Sequence, residues 1–238
     1  MVDRDRDQWL PEYHHRHQRW IAGTPGHRYG VRLTNTRGER VLVVLSVDGV
    51  NAVTGETAHP SQAGYVLGPW QSTEIAGWRK SLDDIAGFVF TDLPDSHAAR
   101  TGRPDHVGVI GIAVFEEARS IHYPPAYPPV PIARGARDAR RSAPAPSASA
   151  AESADSAMES GRAAQRIGTG HGQREWSPSS RTAFVRASRA PAQVSELRYD
   201  DRDALIALGV LPAHPSWRDR RHSPRAFPQG FVADPPRR

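Results

Sequence analysis

Apolar and polar positions alternate along Tyr29-Gly-Val31-Arg-Leu33-Thr, so Tyr29, Val31 and Leu33 share one face and Gly30, Arg32 and Thr34 the other. A period of two marks a strand buried on one side. After the turn residues Asn35 to Gly38 the pattern changes. Arg40-Val-Leu-Val-Val-Leu-Ser-Val47 is a continuous β-branched run, which predicts a central strand covered on both faces. The two segments read as a hairpin with a loop of four to five residues. Asp48, Gly49 and Asn51 form the next turn. Gly64 to Gly68 is a short strand broken by Pro69, and Gln71 to Ile75 resumes in extended form before Gly77 to Ser81 ends it. In Ile85 to Thr91 the aromatic residues are spaced by two, and in Val107 to Phe115 both faces are apolar, as in an inner strand. Between them, Asp92 to Asp105 is polar, with Asp95 or Ser96 placed to cap one helical turn through Arg100. Short strands, frequent turns and almost no helix predict an all-β fold, an antiparallel β-sandwich over 27–117.

The flanks carry less pattern. Residues 1–26 read as a polar arm in which Glu12 to Trp20 makes a helical turn or two, with Tyr13, Trp20 and Ile21 available to dock. Pro124 to Pro131 is a polyproline-like tether, and the Ala/Ser/Pro-rich stretch after it lacks bulky apolar residues, so 118–167 is expected to be a disordered linker. Extended segments return at Gln173–Ser177, Thr182–Arg186 and Val194–Tyr199. Asp200 is placed to cap a short helix over Asp201–Leu208, and Gly209 stands where a helix-ending glycine belongs. The piece 168–211 is too small to hold a core alone, so it is expected to dock on the sandwich. Residues 212–238 read as a disordered basic tail.

Charge sharpens this division. Residues 1–117 hold 12 basic and 15 acidic residues, and residues 118–238 hold 19 and 11, so the folded block is mildly acidic and the second half basic. Thirty of the 31 basic residues are arginine, a skew that reports genome composition more than phosphate recognition. There is no cysteine, which excludes disulfides, thiolate catalysis and Cys-ligated zinc. The first residues alternate charge without an apolar core, unlike a secretory signal. The longest apolar run, Val107 to Phe115, falls far short of the ~20 residues of a membrane-spanning helix. The expectation is a cytoplasmic protein with no membrane association.

No complete catalytic motif is present. His14, His15 and His17 lie close together but lack further ligands at metal spacing. Gly168-Thr-Gly-His-Gly172 resembles a phosphate loop without the strand before it and helix after it that such a loop needs, and reads as a turn. The paired carboxylates Asp83-Asp84, Asp92/Asp95 and Asp200-Asp201 look like turn or cap residues. No catalytic residue, metal ligand or cofactor is therefore assigned. The candidate binding residues are Tyr65, Trp70, Trp78 and Arg79, aromatic groups beside a guanidinium, a composition that stacks ligands. The competing reading makes the two tryptophans core residues, because Pro69 and Gly77 place them at strand ends.

The stretch from His27 to Glu117, above all Arg40 to Thr57, Gly64 to Trp70, Ile75 to Lys80 and Arg100 to Pro104, resembles a family of uncharacterised, mainly proteobacterial proteins. Gly170 to Trp176 is similar to a second piece of that family. The resemblance implies a bacterial source and carries over no activity, cofactor or catalytic residue. The function expected is a non-enzymatic module that binds another protein or itself. Two alternatives stand beside it: a hydrolase-like enzyme with its site in the 92–105 loop or near His171, and a binder of nucleic acid or anionic surfaces through the basic tail.

Overall fold

The computed structural model describes residues 1–119 and 165–213. Regular structure there is mostly strand, in two sheets with two short α-helices. The sequence regions assigned to the linker and tail lie outside the described residues, save 118–119, 165–167 and 212–213.

The first sheet is built around β11 (Asp84–Asp92). On one side it pairs antiparallel with β13 (Ile167–Trp176), from Asp84 opposite Trp176 to Asp92 opposite Ile167. Its other side is shared between β10 (Gly77–Arg79) and β5 (Arg28–Thr34). Beyond β11, β5 pairs with β9 (Ser72–Ile75); on its opposite edge lies β1 (Val2–Asp3), followed by β2 (Gln8–Trp9). The second sheet runs β3 (Glu12–His15), β4 (Gln18–Gly23), β14 (Gln193–Asp201), β12 (Val109–Glu116), β6 (Val41–Val47) and β7 (Val50–Asn51), with β8 (Tyr65–Leu67) also on β6. Every pairing is antiparallel except β4 with β14.

The inner faces meet as the alternation requires. Tyr29, Phe88, Phe90 and Ile167 from the first sheet pack with Val43, Leu45, Val47, Ile110 and Tyr199 from the second. Tyr29 stacks on Phe90 at 4.2 Å and on Phe88 at 5.4 Å between ring centres. Burial of aromatic rings of this size dominates core energetics.

Several expectations are corrected. β5 and β6 are not a hairpin, for they belong to opposite sheets. Asn35 fixes the crossing: its amide donates to the Glu39 and Gly68 carbonyls, while its Oδ1 accepts from Arg37 N. Glu12 to Trp20 is not helical but a hairpin of β3 and β4, closed by Arg16 and His17 at φ of +49° and +63°. Such a turn favours Asn-Gly, so Arg-His gives no local sign of it. The N-terminal residues are thus strands of both sheets, with Val2 and Ile21 buried. Residues 168–211 do not lie upon the sandwich but enter it, β13 flanking β11 and β14 inserting between β4 and β12. Gly168 to Gly172 is strand rather than turn. The cap of α2 (Arg202–Ala207) is Asp201, whose carboxylate accepts from Ala204 N at 2.7 Å, one residue later than expected.

Between β13 and β14 the chain crosses the outer face of the second sheet. Phe184 packs there on a small cluster of Leu42, Val44, Ala113 and Phe115, and Arg186 lies over the Phe115 ring at 4.2 Å. Ala187 N and Ala192 N donate to the Glu116 and Val114 carbonyls, holding the crossing to β12. Among the described residues no helix is long and apolar enough to cross a membrane.

Candidate functional site

The four residues singled out from the sequence separate. Trp78 is core, edge-on to Phe88 at 4.8 Å and only 3% exposed. Trp70 is 70% exposed and sits by the 35–40 crossing, its backbone N–H donating to the Arg37 carbonyl. Tyr65 and Arg79 do meet, the guanidinium 6.0 Å from the ring centre. Arg79 is also tied to the Ser177 carbonyl and hydroxyl, which holds the end of β13. The histidines near the N-terminus are spread over the β3–β4 hairpin, with His14 exposed near Glu12.

A groove of about 370 Å³ opens on the outer face of the second sheet. Its floor follows from strand register: Ser46, Gly111 and Glu196 lie in one cross-strand row, and Val44, Ala113 and Val194 in the next. Alternation turns these residues outward while Ile110 and Ile112 turn in. His59 and Pro60 form one wall together with Asp105 and His106, and Glu196 and Arg198 form the other. Val44, Gly111, Ala113 and Val194 make much of the floor apolar and the rim carries both signs of charge, the usual composition of a binding site. Val194 is 63% exposed, a large apolar side chain left in water.

Gly111 is distinctive. A Cβ there would meet nothing nearer than Ser46 Cβ at 3.8 Å, an ordinary contact. At Gly77, by contrast, a Cβ would run into the Ala86 carbonyl, so that strand glycine is sterically required.

One end of the groove rests on a buried polar network. Asp48, in the β6–β7 turn, is fully buried. Its carboxylate accepts from Gly108 N at 3.0 Å and Thr169 N at 2.7 Å, and from the Tyr199 hydroxyl at 2.7 and 2.8 Å. The Thr169 hydroxyl bonds in turn to the Tyr29 and Tyr199 hydroxyls at 2.5 and 2.7 Å. Burial pushes Asp48 up to about 6, against the pull of its donors, and raises both tyrosines well above their usual range. With its oxygens occupied and no exposure, Asp48 holds four strands together and cannot reach a substrate. Its neighbour Gly49 lines the groove.

Two further groupings are built from titratable side chains. Asp3, Asp5 and His27 place their ligand atoms within 4.8 Å of one another. Asp5, however, is engaged by Arg28 through both backbone N–H and guanidinium, and Asp3 accepts from His27 Nδ1 at 2.8 Å and from Asp5 N and Arg6 N. This is a hydrogen-bonded corner anchoring the N-terminal strands. His97, first residue of α1 (His97–Arg100), and His171 on β13 stand 5.7 Å apart between ring centres, with Trp78 4.9 and 6.4 Å from them. The two regions named for a hydrolytic site therefore adjoin, but the charged groups acting on them are cations.

No protein-family model, curated protein or solved structure matches this chain. The site must therefore be read from its own geometry.

On that geometry the groove is the feature that joins an apolar floor to converging polar groups, and the sequence pattern did not single out its residues. A signal was present: within Val107–Phe115 one face carries Gly111 and Ala113 while the other carries Ile110, Ile112 and Val114. Small residues on one face of a bulky inner strand mark room above that face. Partners from β6 and β14 supply the walls, and no local pattern announces their pairing.

Proposed function

We propose that the protein is a non-enzymatic binding module that takes an extended apolar peptide of a partner protein in the groove over Gly111. The observation that carries this reading is Gly111 itself. A glycine inside a strand costs roughly 0.5–1 kcal/mol relative to alanine, and neither its backbone, which is not left-handed, nor any neighbour requires it here. What its missing side chain provides is the open floor. Stability given up to keep a surface open is a common cost of function.

The occupant is argued from the same sheet face. Farther along it, an extended segment of this chain already packs through Phe184 onto Leu42, Val44, Ala113 and Phe115. A peptide laid beside it covers Val194 and Ala113 with its apolar side chains, while His106, Glu196 and Arg198 meet its polar groups. Alternating pockets of this kind give side-chain specificity to extended ligands.

The test is selection of decapeptides from a random display library, followed by titration of an enriched peptide into isotope-labelled protein. The expected result is amide shift changes centred on Ser46, Gly111, Ala113 and Glu196. Failure to enrich any peptide, or shifts centred elsewhere, overturns the reading.

A further inference from the structure

We infer that Lys80, His97, Arg100, Arg103 and His171, gathered at the end of the sandwich closed by α1, form a site for a phosphoryl group. The cluster shares no residue with the groove lining and does not depend on the reading given to it. His171 lies opposite Phe88 in the β11–β13 ladder and so shares the inner-facing side of the first sheet, where α1 brings His97 to within 5.7 Å. Trp78 forms the floor, and its buried Nε1–H has no acceptor among the described residues. Lys80 follows β10, Arg100 ends α1 and Arg103 follows it.

Burial, then His171 and then the positive charge of Arg103, Lys80 and Arg100 lower the His97 pKa; burial, Lys80 and Arg174 lower that of His171. Burial is the larger cause for both rings, and the cations add to it from three elements. The nearby carboxylates do not relieve this. Asp84 lies 3.6 Å from Arg174, and among the described residues neither Asp92 nor Asp95 is within ion-pair distance of any cation of the cluster. Like charges gathered without counter-charge are unfavourable, and a dianion placed among them removes the repulsion. It also reverses the field on the imidazoles, which then take up protons and donate to the ligand. The site therefore binds a phosphoryl oxyanion with proton uptake, more tightly at pH 5.5 than at pH 7.5.

The experiment follows the His97 and His171 ring resonances during titration with sulfate, inorganic phosphate and a short oligothymidylate, at several pH values. Sulfate keeps its charge over this range, so its pH dependence reports the protein alone. The expected result is that both rings shift, that their pKa values rise on binding, and that sulfate binds at least tenfold tighter at pH 5.5 than at 7.5. Lys80→Ala, on an exposed side chain, is expected to weaken binding about tenfold with an unchanged melting temperature. An oligonucleotide much tighter than phosphate at these two rings assigns the phosphoryl group to a nucleic-acid backbone; equal affinity assigns it to a small ligand. Resonances of His97 and His171 unmoved by all three probes, or affinity unchanged in Lys80→Ala, overturn the inference.

Discussion

Asp48 is an acid removed from water, with two backbone amides and a tyrosine hydroxyl turned toward it. Its pKa of about 6 in the folded chain lies above its ordinary 3.8. A group raised by folding contributes stability that is full below the unfolded value and is lost as pH rises through the folded one. The window is therefore about pH 4 to 6, and the protonated acid is the better-accommodated form. His97 and His171, whose pKa values are lowered, act with the opposite sign, so the Asp48 contribution is isolated by comparison with a variant. Asp48→Asn is expected to destabilise, because its amide presents a donor to one of the backbone N–H groups. The gap between wild type and Asp48→Asn should widen by about 1.4 kcal/mol from pH 7 to pH 5, one pH unit below the folded pKa. Urea unfolding at the two pH values measures this, and a gap independent of pH would contradict it. The sequence reads Asp48-Gly49 as a turn, and a turn it is, with φ of +53° and +72°. That its carboxylate points inward depends on Thr169 and Tyr199, 121 and 151 positions away, which no local pattern reveals.

At the scale of elements, what was legible is what is local. Tyr29 to Thr34, Val41 to Val47, Ile85 to Thr91 and Val109 to Phe115 are strands as their periodicity requires, and Ser96 caps α1 by accepting from Ala99 N. Partnership was not legible. β5 and β6 look like a hairpin because they are neighbours in sequence, yet β1, β9 and β11 occupy the edges of β5. The crossing segment 177–192 is likewise defined by contact rather than pattern, since one aromatic side chain, Phe184, anchors it to the small outer cluster. Phe184 is only partly buried, so Phe184→Ala is expected to cost about 1–2 kcal/mol, less than the ~3–5 of a full core position. Hydrogen exchange should quicken at Ala187 and Ala192, whose amides hold the crossing to β12, while β11 amides stay protected. Unchanged exchange at those two alanines would show that Phe184 is not the anchor.

In the whole molecule, neither part of the described chain makes a complete sandwich. Residues 165–213 supply β14 to the centre of one sheet and β13 to the flank of the other, and residues 1–26 supply strands to both. A chain truncated after Glu117 loses the strand joining β12 to β4 and leaves Tyr29, Phe90 and Asp48 without Tyr199 and Thr169. It is expected to show no cooperative thermal transition by calorimetry. A chain cut by an inserted protease site between 120 and 164 should keep both pieces associated through gel filtration, and their separation would contradict the interlocked topology. The same interlock sets the groove, since Gly111 and Ala113 come from one part of the chain and Val194, Glu196 and Arg198 from the other. Gly111→Val tests the central claim most directly, measured for melting temperature and for affinity toward an enriched peptide on the same sample. Filling an open strand position with a β-branched residue should raise stability by on the order of 1 kcal/mol, while peptide affinity falls at least tenfold. Peptide affinity equal to that of wild type, or a loss of stability, would mean that the space above Gly111 is not held open for a ligand.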